Sequence, residues 1–406
     1  MKLFRRLISL DEALKTVLTY AKGRETGVEE VAFEEALNRV LAEDVRSPVD
    51  SPPFDRAAMD GYAIRGEDSF GASPSSPVFL NAGEGKYHAV QTGQPMPADG
   101  RSNAVVMLEF AKESEDGDGG GEKLEIFKPV TPGRNVSLKG EDVKKGEVVL
   151  KAGRRLLRAH DIGMLASVFK RTVRVRKKAK VGIISTGDEL SDPKQPRNEN
   201  KIADANSFVL TALTQKIASP RRLGIARDDR VEIKDAIKQG LEECDGLLVS
   251  GGSSVGRRDF LADAVTDLGE LVFHGVAIRP GEPTGFGVVD EKPVFVLPGF
   301  PVATISAFEL LVRPFLNATH GLGVKETRRV TYAVAAKKIP SAVGRTDFVR
   351  VRLFCAENEK RCYAEPVRVS GSGILSSVTK SDGFVLVEEN SEGVEAGGKV
   401  GVNLWE

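Results

Sequence analysis

VGIISTGDEL (181–190) runs from small and apolar residues into a Ser-Thr-Gly turn followed by two carboxylates. An apolar run closed by a Ser- or Pro-Gly turn returns in GLLVSGGSSVG (246–256) and in VFVLPGFPVA (294–303). Each apolar run has strand length, and glycine breaks it before a segment with helical spacing. Strands are expected at 180–185, 221–225, 246–250, 285–289 and 293–297, and helices near 205–217, 231–243, 259–268 and 301–316. That alternation predicts a mostly parallel α/β sheet with helices on both faces.

Ligands of such sheets bind outside the carboxyl ends of the strands. Three glycine turns meeting there would surround one anion with backbone N–H groups and hydroxyls, because glycine lets the backbone approach closely and a helix start favours negative charge. Pro301 suits the first position of the last helix. Any one of these turns reads equally well as a plain connection, and no G-x-x-x-x-G-K-[ST] phosphate loop occurs. Asp188, Glu189, Asp228 and Asp259 accompany the turns. Carboxylates beside a phosphate site call for a divalent cation, and Mg²⁺ takes a few carboxylates together with phosphate oxygens. Asp188 and Asp259 read alternatively as helix caps, with Arg257 or Arg258 offsetting Asp259.

Outward from this zone the texture changes. A chain of 406 residues exceeds one core and predicts several domains. Residues 1–46 and 143–177 carry helical patterns and are expected to form one discontinuous helical or linker domain. Ser9 followed by Glu12 reads as a capping box for a helix over 10–22, and the spacing over 33–42 predicts a second helix. Residues 47–142, rich in Gly, Pro and short apolar runs, read as an inserted small β domain, with ESEDGDGGGE (113–122) as a solvated hairpin tip. The α/β domain spans 178–324, and 325–406 reads as a small β-barrel or sandwich. TVRVR (172–176) reads as a strand with one solvated face.

Lys plus Arg number 58 and so do Asp plus Glu, which leaves no electrostatic footprint for nucleic acid. No apolar run reaches the roughly 20 residues a membrane span needs. Cys244, Cys355 and Cys362 form no C-x-x-C pair; 355 and 362 could face each other across a hairpin, but free thiols in a cytoplasmic protein are the expected state. The four histidines lack ligand spacing.

Further candidates lie in constrained turns. RPGEPTGFG (279–287) is expected to aim Arg279 outward, as a bidentate oxyanion ligand or as a solvated surface arginine. SPPFDRAAMDGYAI (51–64) presents Asp60; QTGQPMPADG (91–100) offers Thr92; KGEDVKKGEVVLKAG (139–153) offers Glu141 and Asp142.

Taken in order, MDGYAI, QTGQPMP, GED, STGDEL, SGGSSVGRRDF, RPGEP, LPGFP and GRTDFVRV resemble the molybdopterin molybdenumtransferase family, which includes the carboxy-terminal domain of gephyrin. The resemblance covers nearly the whole chain. It implies an elongated homodimer of four-domain subunits, whose α/β domain is similar to the molybdopterin adenylyltransferase fold. It implies that adenylylated molybdopterin and molybdate, or tungstate, yield molybdenum cofactor and AMP with Mg²⁺ present. By the same resemblance, Asp188, Glu189, Asp228 and Asp259 would serve the metal and nucleotide side. Ser250, Gly251, Gly252 and Ser254 would hold phosphate. Asp60, Thr92 and Asp142 would act with Glu189 in catalysis, the first three reaching the partner subunit's cleft. Arg279, Pro298, Pro301, Arg350 and Ser372 would line the molybdate pocket. The chain departs from the family pattern at Arg279 and Glu282, which replace two lysines, at Phe300 for Asn, and at Ser253 for Val. A non-catalytic molybdopterin-binding or scaffold paralogue is the alternative these departures leave open. A remoter alternative is an unrelated nucleotide-dependent transferase.

Overall fold

The computed structural model describes residues 7–82, 86–115, 122–251, 260–322, 329–355, 361–368 and 371–405. The Ser9 hydroxyl accepts the Glu12 N–H at 3.1 Å and opens α1, Leu10–Ala21. The apolar face of α1 (Ala13, Val17, Ala21) does not stay with the N-terminal segment; it packs into the core of the α/β domain. No helix forms over 33–42. One 3₁₀ turn, Phe33–Ala36, ends as Asn38 takes φ 60°, and Val40 and Leu41 bridge to Leu156 and Val175. Strand Val28–Ala32 pairs with Thr172–Arg176, and Val45–Arg46 pairs with Val148–Leu150. The two halves of the discontinuous segment are thus joined by strands around one helix, α2 (Ala159–Ser167). Val173 and Val175 are buried while Thr172 and Arg174 are exposed, as the alternation of that strand requires.

Between those halves lie two three-stranded sheets enclosing Ile64, Leu80, Leu124 and Ile126. Strands Ala111–Glu115 and Glu122–Ile126 pair out to Glu115 and Glu122; the tip, 116–121, lies outside the described residues.

The α/β domain is a six-stranded sheet. Its strands are β1 (Lys180–Thr186), β2 (Ser219–Ala226), β3 (Gly246–Ser250), β4 (Glu270–His274), β5 (Gly285–Val289) and β6 (Lys292–Leu297), in the order β2-β1-β3-β6-β5-β4. The first four in that order run parallel; β5 and β4 add antiparallel pairs at one edge. All five residues of β3 are buried, as a continuous apolar run between two covered faces should be. Helices α3 (Ala205–Gln215), α4 (Arg230–Glu243), α5 (Phe260–Leu268) and α6 (Pro301–Ala307) supply the cover. After α6 the helix widens into a π segment, Phe308–Val312, and ends in α7, Arg313–Thr319, which packs on α1.

The C-terminal strands close on themselves. These are β7 (Val330–Ala335), β8 (Thr346–Cys355), β9 (Cys362–Arg368), β10 (Gly383–Val387) and β11 (Lys399–Leu404). The order β8-β9-β7-β11-β10 returns to β8, which makes a five-stranded barrel around Val349, Val351, Ala364 and Val402. Its register sets Cys355 opposite Cys362 with Cα atoms 4.4 Å apart, and the two form a disulfide. This overturns the free-thiol reading, which weighed compartment over the hairpin register. Cys244 is free and buried. Among the described residues no helix is long and apolar enough to cross a membrane.

Candidate active site

The glycine turns meet at the carboxyl ends of the parallel strands and are wired to one another. Gly187 donates to the Ala226 carbonyl at 3.2 Å and Gly251 to the Leu297 carbonyl at 3.1 Å. Gly251 holds φ 140°, and a Cβ there would overlap the Thr186 hydroxyl and carbonyl, so glycine is required by both conformation and space. Among the described residues the buried Thr186 hydroxyl has no hydrogen-bond partner. Such an orphan at a strand end is costly unless a ligand or a rearranged loop meets it.

Ser185 and Ser250, both fully buried, bring their hydroxyl oxygens within 3.4 Å. Ser185 also lies 2.9 Å from Asp204 Oδ1, to which it donates. Asp204 is buried too, and the same oxygen accepts the Ser207 N–H at 3.1 Å as the N-cap of α3. It is delivered by a fold-back: Leu190–Ser191 pairs parallel with Ile202–Ala203, just before the cap. Asn206, two residues on, donates to the Gly299 carbonyl at 2.7 Å, so α3 fixes the third turn as well. Asp204 and Asn206 are not among the candidates of the glycine turns. The signal was present in IADANSF (202–208), an Asp-x-Asn-Ser start before an apolar helix.

Three carboxylates group beside these turns. The Asp228 N–H reaches Asp188 Oδ1 at 3.4 Å, and the Lys201 ammonium donates to the Asp188 carbonyl. Burial raises the Asp228 pKa, and the charges of Glu189 and Asp188 raise it further. Asp188 does not cap a helix; it stands in the turn leading to Leu190–Ser191. Among the described residues no three His, Cys, Asp or Glu side chains converge tightly enough to hold a metal by themselves. Asp188 and Asp228 nonetheless suit Mg²⁺, which keeps waters and substrate oxygens and needs only one or two carboxylates. Their mutual repulsion is what a cation would relieve. Gly252, Ser253, Ser254, Arg257, Arg258 and Asp259 lie outside the described residues.

Next to the third turn, a cavity of about 580 Å³ opens between the α/β domain and the barrel. Arg279, Pro298, Arg350 and Ser372 line it together. Pro301 stands at the start of α6 beside it, and the next residue, Val302, donates its N–H to the Ser372 carbonyl at 2.9 Å. Arg279 is exposed, as expected, but it is not a solvated surface arginine. Its guanidinium forks onto the buried carboxylate of Asp347, with Nε 2.8 Å from Oδ1 and Nη2 on Oδ2. Glu282, the residue that reverses the family's charge, pairs with Arg345 at 2.5 Å. Arg345 also lines the cavity, so the reversal is compensated within the same wall. Arg350 is only 1% exposed; its Nε donates to the Ser377 hydroxyl and its Nη1 to the Phe348 carbonyl, each at 3.3 Å. Burial and then the charge of Arg368 lower its pKa, yet a guanidinium stays protonated at neutral pH. Arg345 and Asp347 were missed as individuals, although both stand in GRTDFVRV (344–351).

The β-domain candidates form a separate group. Asp60 Oδ1 accepts the Thr92 N–H at 2.6 Å and the Thr92 hydroxyl at 2.8 Å, which lowers the Asp60 pKa. The Asp142 N–H donates to the Ser51 carbonyl at 3.1 Å. These bonds stay within the inserted segment and do not tie the three residues to the α/β turns of the same chain.

Family models match this arrangement segment by segment: "MoeA N-terminal region (domain I and II)" at 8–169, "Probable molybdopterin binding domain" at 182–318 and "MoeA C-terminal region (domain IV)" at 332–405. The molybdopterin molybdenumtransferase of Haemophilus influenzae is 32% identical, over 96% of this chain and 97% of that protein. This chain belongs to the molybdopterin molybdenumtransferase, or MoeA, family. A chain of Methanocaldococcus jannaschii with a provisional molybdopterin biosynthesis name is 40% identical over the full length of both. The crystal structure of the molybdopterin biosynthesis MoeA protein from Pyrococcus horikoshii superposes with a TM-score of 0.81 and 37% identity, covering 98% of this chain and 100% of that one. The MoeA fold is therefore the fold of this chain, with residues 182–318 matching the probable molybdopterin binding domain.

Proposed function

We propose that this chain is a transferase that inserts molybdate or tungstate into adenylylated molybdopterin, forming the metal cofactor and releasing AMP. The carrying observation is the cavity shared by Arg279, Arg345 and Arg350, placed one turn away from Ser250 and Gly251. An oxyanion and a phosphate-bearing pterin need neighbouring sites of this kind. On binding, the Ser250 hydroxyl would turn from Ser185, whose own proton is on Asp204, to donate to the pterin phosphate, while Gly251, its N–H held by the Leu297 carbonyl, would let the phosphate approach the turn. Arg350, desolvated and rigidly held, offers charge that a tetrahedral oxyanion answers more strongly than water can. Arg279 and Arg345 already carry carboxylate partners, so the cavity keeps a modest positive excess and can bind its oxyanion without trapping it.

Mg²⁺ held by Asp188 and Asp228, with Glu189 alongside, would stabilise the charge that develops as the phosphate–phosphate bond to AMP breaks. Asp60, Thr92 and Asp142 would act in the cleft of a second copy in a homodimer. The compensation of Glu282 by Arg345 favours a working oxyanion site over a scaffold role. The test is purified protein with adenylylated molybdopterin, Mg²⁺ and each oxyanion in turn, scored for AMP release and for cofactor that activates an apo-enzyme. Ligand binding with neither product would remove the catalytic reading.

A further inference from the structure

Phe300 is a large aromatic side chain left 58% exposed at the wall of the cavity that holds the arginines. Its backbone is fixed: its carbonyl accepts the Thr304 N–H at 2.9 Å and the Thr304 hydroxyl at 3.1 Å. It occupies the N-cap of α6 and provides no side-chain cap bond there. A Ser, Thr, Asp or Asn at this place would stabilise the helix by roughly 1 kcal/mol. The ring therefore stands where the fold would gain from a small polar residue, and it is not buried in return.

The ring also has a built neighbour. A Cβ at Gly373 would lie 3.3 Å from Phe300 Cδ1 and 3.6 Å from Cε1, so glycine leaves the barrel loop low against the ring's edge. The adjacent Ser372 carbonyl accepts the Val302 N–H at 2.9 Å, which locks loop and turn together. A flat apolar surface is thus held in place at the junction of the third turn and the oxyanion cavity.

We infer that Phe300 is a stacking platform for the pterin ring of the substrate, and so a specificity-determining residue. The inference rests on the function proposed above. Adenylylated molybdopterin carries two planar nitrogen heterocycles, pterin and adenine, and either could stack on a phenyl face. Position favours the pterin. The cavity beside Phe300 takes the oxyanion, the oxyanion must meet the dithiolene, and the dithiolene is attached to the pterin half. The ring next to the oxyanion is then the pterin.

The test compares full-length wild type with Phe300→Tyr, Phe300→Leu and Phe300→Asn. Affinities are measured for molybdopterin, AMP and molybdate, with melting temperature as the folding control. Stacking predicts that Tyr keeps molybdopterin affinity and that Leu and Asn weaken it about fivefold or more. Pterin fluorescence quenching on binding is lost in the same two variants, and molybdate affinity moves less than twofold in all. Asn should leave the melting temperature equal or higher, since it restores a cap. Unchanged molybdopterin affinity in Leu and Asn overturns the platform, and a selective loss of AMP affinity assigns the ring to adenine and overturns the pterin assignment. Either result leaves wild-type turnover standing. Wild type that neither binds molybdopterin nor releases AMP removes the proposed function itself, and the platform with it.

Discussion

Arg345 Nη1 donates to Glu282 Oε2 at 2.5 Å across the seam between the α/β domain and the barrel. Neither residue alone explains the charge of the cavity wall; the pair does. Arg345→Ala should leave a carboxylate facing the oxyanion and weaken molybdate or tungstate binding about tenfold, which is ~1.4 kcal/mol. Adding Glu282→Gln to that variant should recover most of the loss, because the repelling charge goes with it. Both side chains are partly exposed, so unfolding free energy should move by less than ~1 kcal/mol. Calorimetric titration of the three variants decides this, and a double variant no better than the single would refute the compensation.

Asp228 carries a pKa raised by burial and by two acidic neighbours. The folded state then holds this proton more tightly than the unfolded chain does. The resulting destabilisation is fully present above the folded-state pKa and disappears as pH falls below the unfolded value. Asp228→Asn should therefore melt higher than wild type at pH 7 without Mg²⁺, and the gap should shrink toward pH 4. Adding Mg²⁺ should raise the wild-type melting temperature and leave the variant nearly unmoved. A variant stabilised by Mg²⁺ as much as wild type would exclude Asp228 from the metal.

Asp204→Ala removes the α3 cap and the acceptor that orients Ser185. A stability loss of about 1–2 kcal/mol in urea unfolding is expected from the cap alone. Phosphate-bearing ligands should also bind more weakly, because the Ser250 hydroxyl loses its support through Ser185. If stability falls while molybdopterin affinity stays at the wild-type value, the buried hydroxyl chain serves the fold only.

Gly251→Ala meets both a left-handed φ and the Thr186 wall. It should cost about 1–3 kcal/mol of stability as backbone strain and abolish measurable molybdopterin binding. Circular dichroism melts together with a binding titration would show whether the turn tolerates the methyl group; near-normal values in both would contradict the packing described.

Much of the α/β domain was legible because its elements alternate period 2 with period 3.6, and glycine punctuates each change. Strands at 246–250 and 285–289 stand where the pattern sets them. The 33–42 segment misled because its apolar spacing fits a helix, whereas Asn38 and the bridges of Val40 and Leu41 belong to partners more than a hundred residues away. The expected compartment argues for free Cys355 and Cys362, whereas a seven-residue separation in a hairpin sets them face to face. In the site, single turns were readable but partnerships were not. Arg279 with Asp347 and Glu282 with Arg345 are separated by more than sixty residues, and no local rule links them.

The short strand Ile278–Arg279 pairs parallel with Thr346 and Asp347 at the start of β8, so the turn beginning at Arg279 belongs to the barrel's ladder as much as to the α/β domain. The sequence boundary between the two domains is therefore not where they can be cut. A chimera that takes its barrel from a relative but keeps residues 278–283 from this chain would splice across that ladder and across both ion pairs. Exchanging 278–283 together with the barrel would move the proposed oxyanion wall as one inherited piece, and metal preference should travel with it.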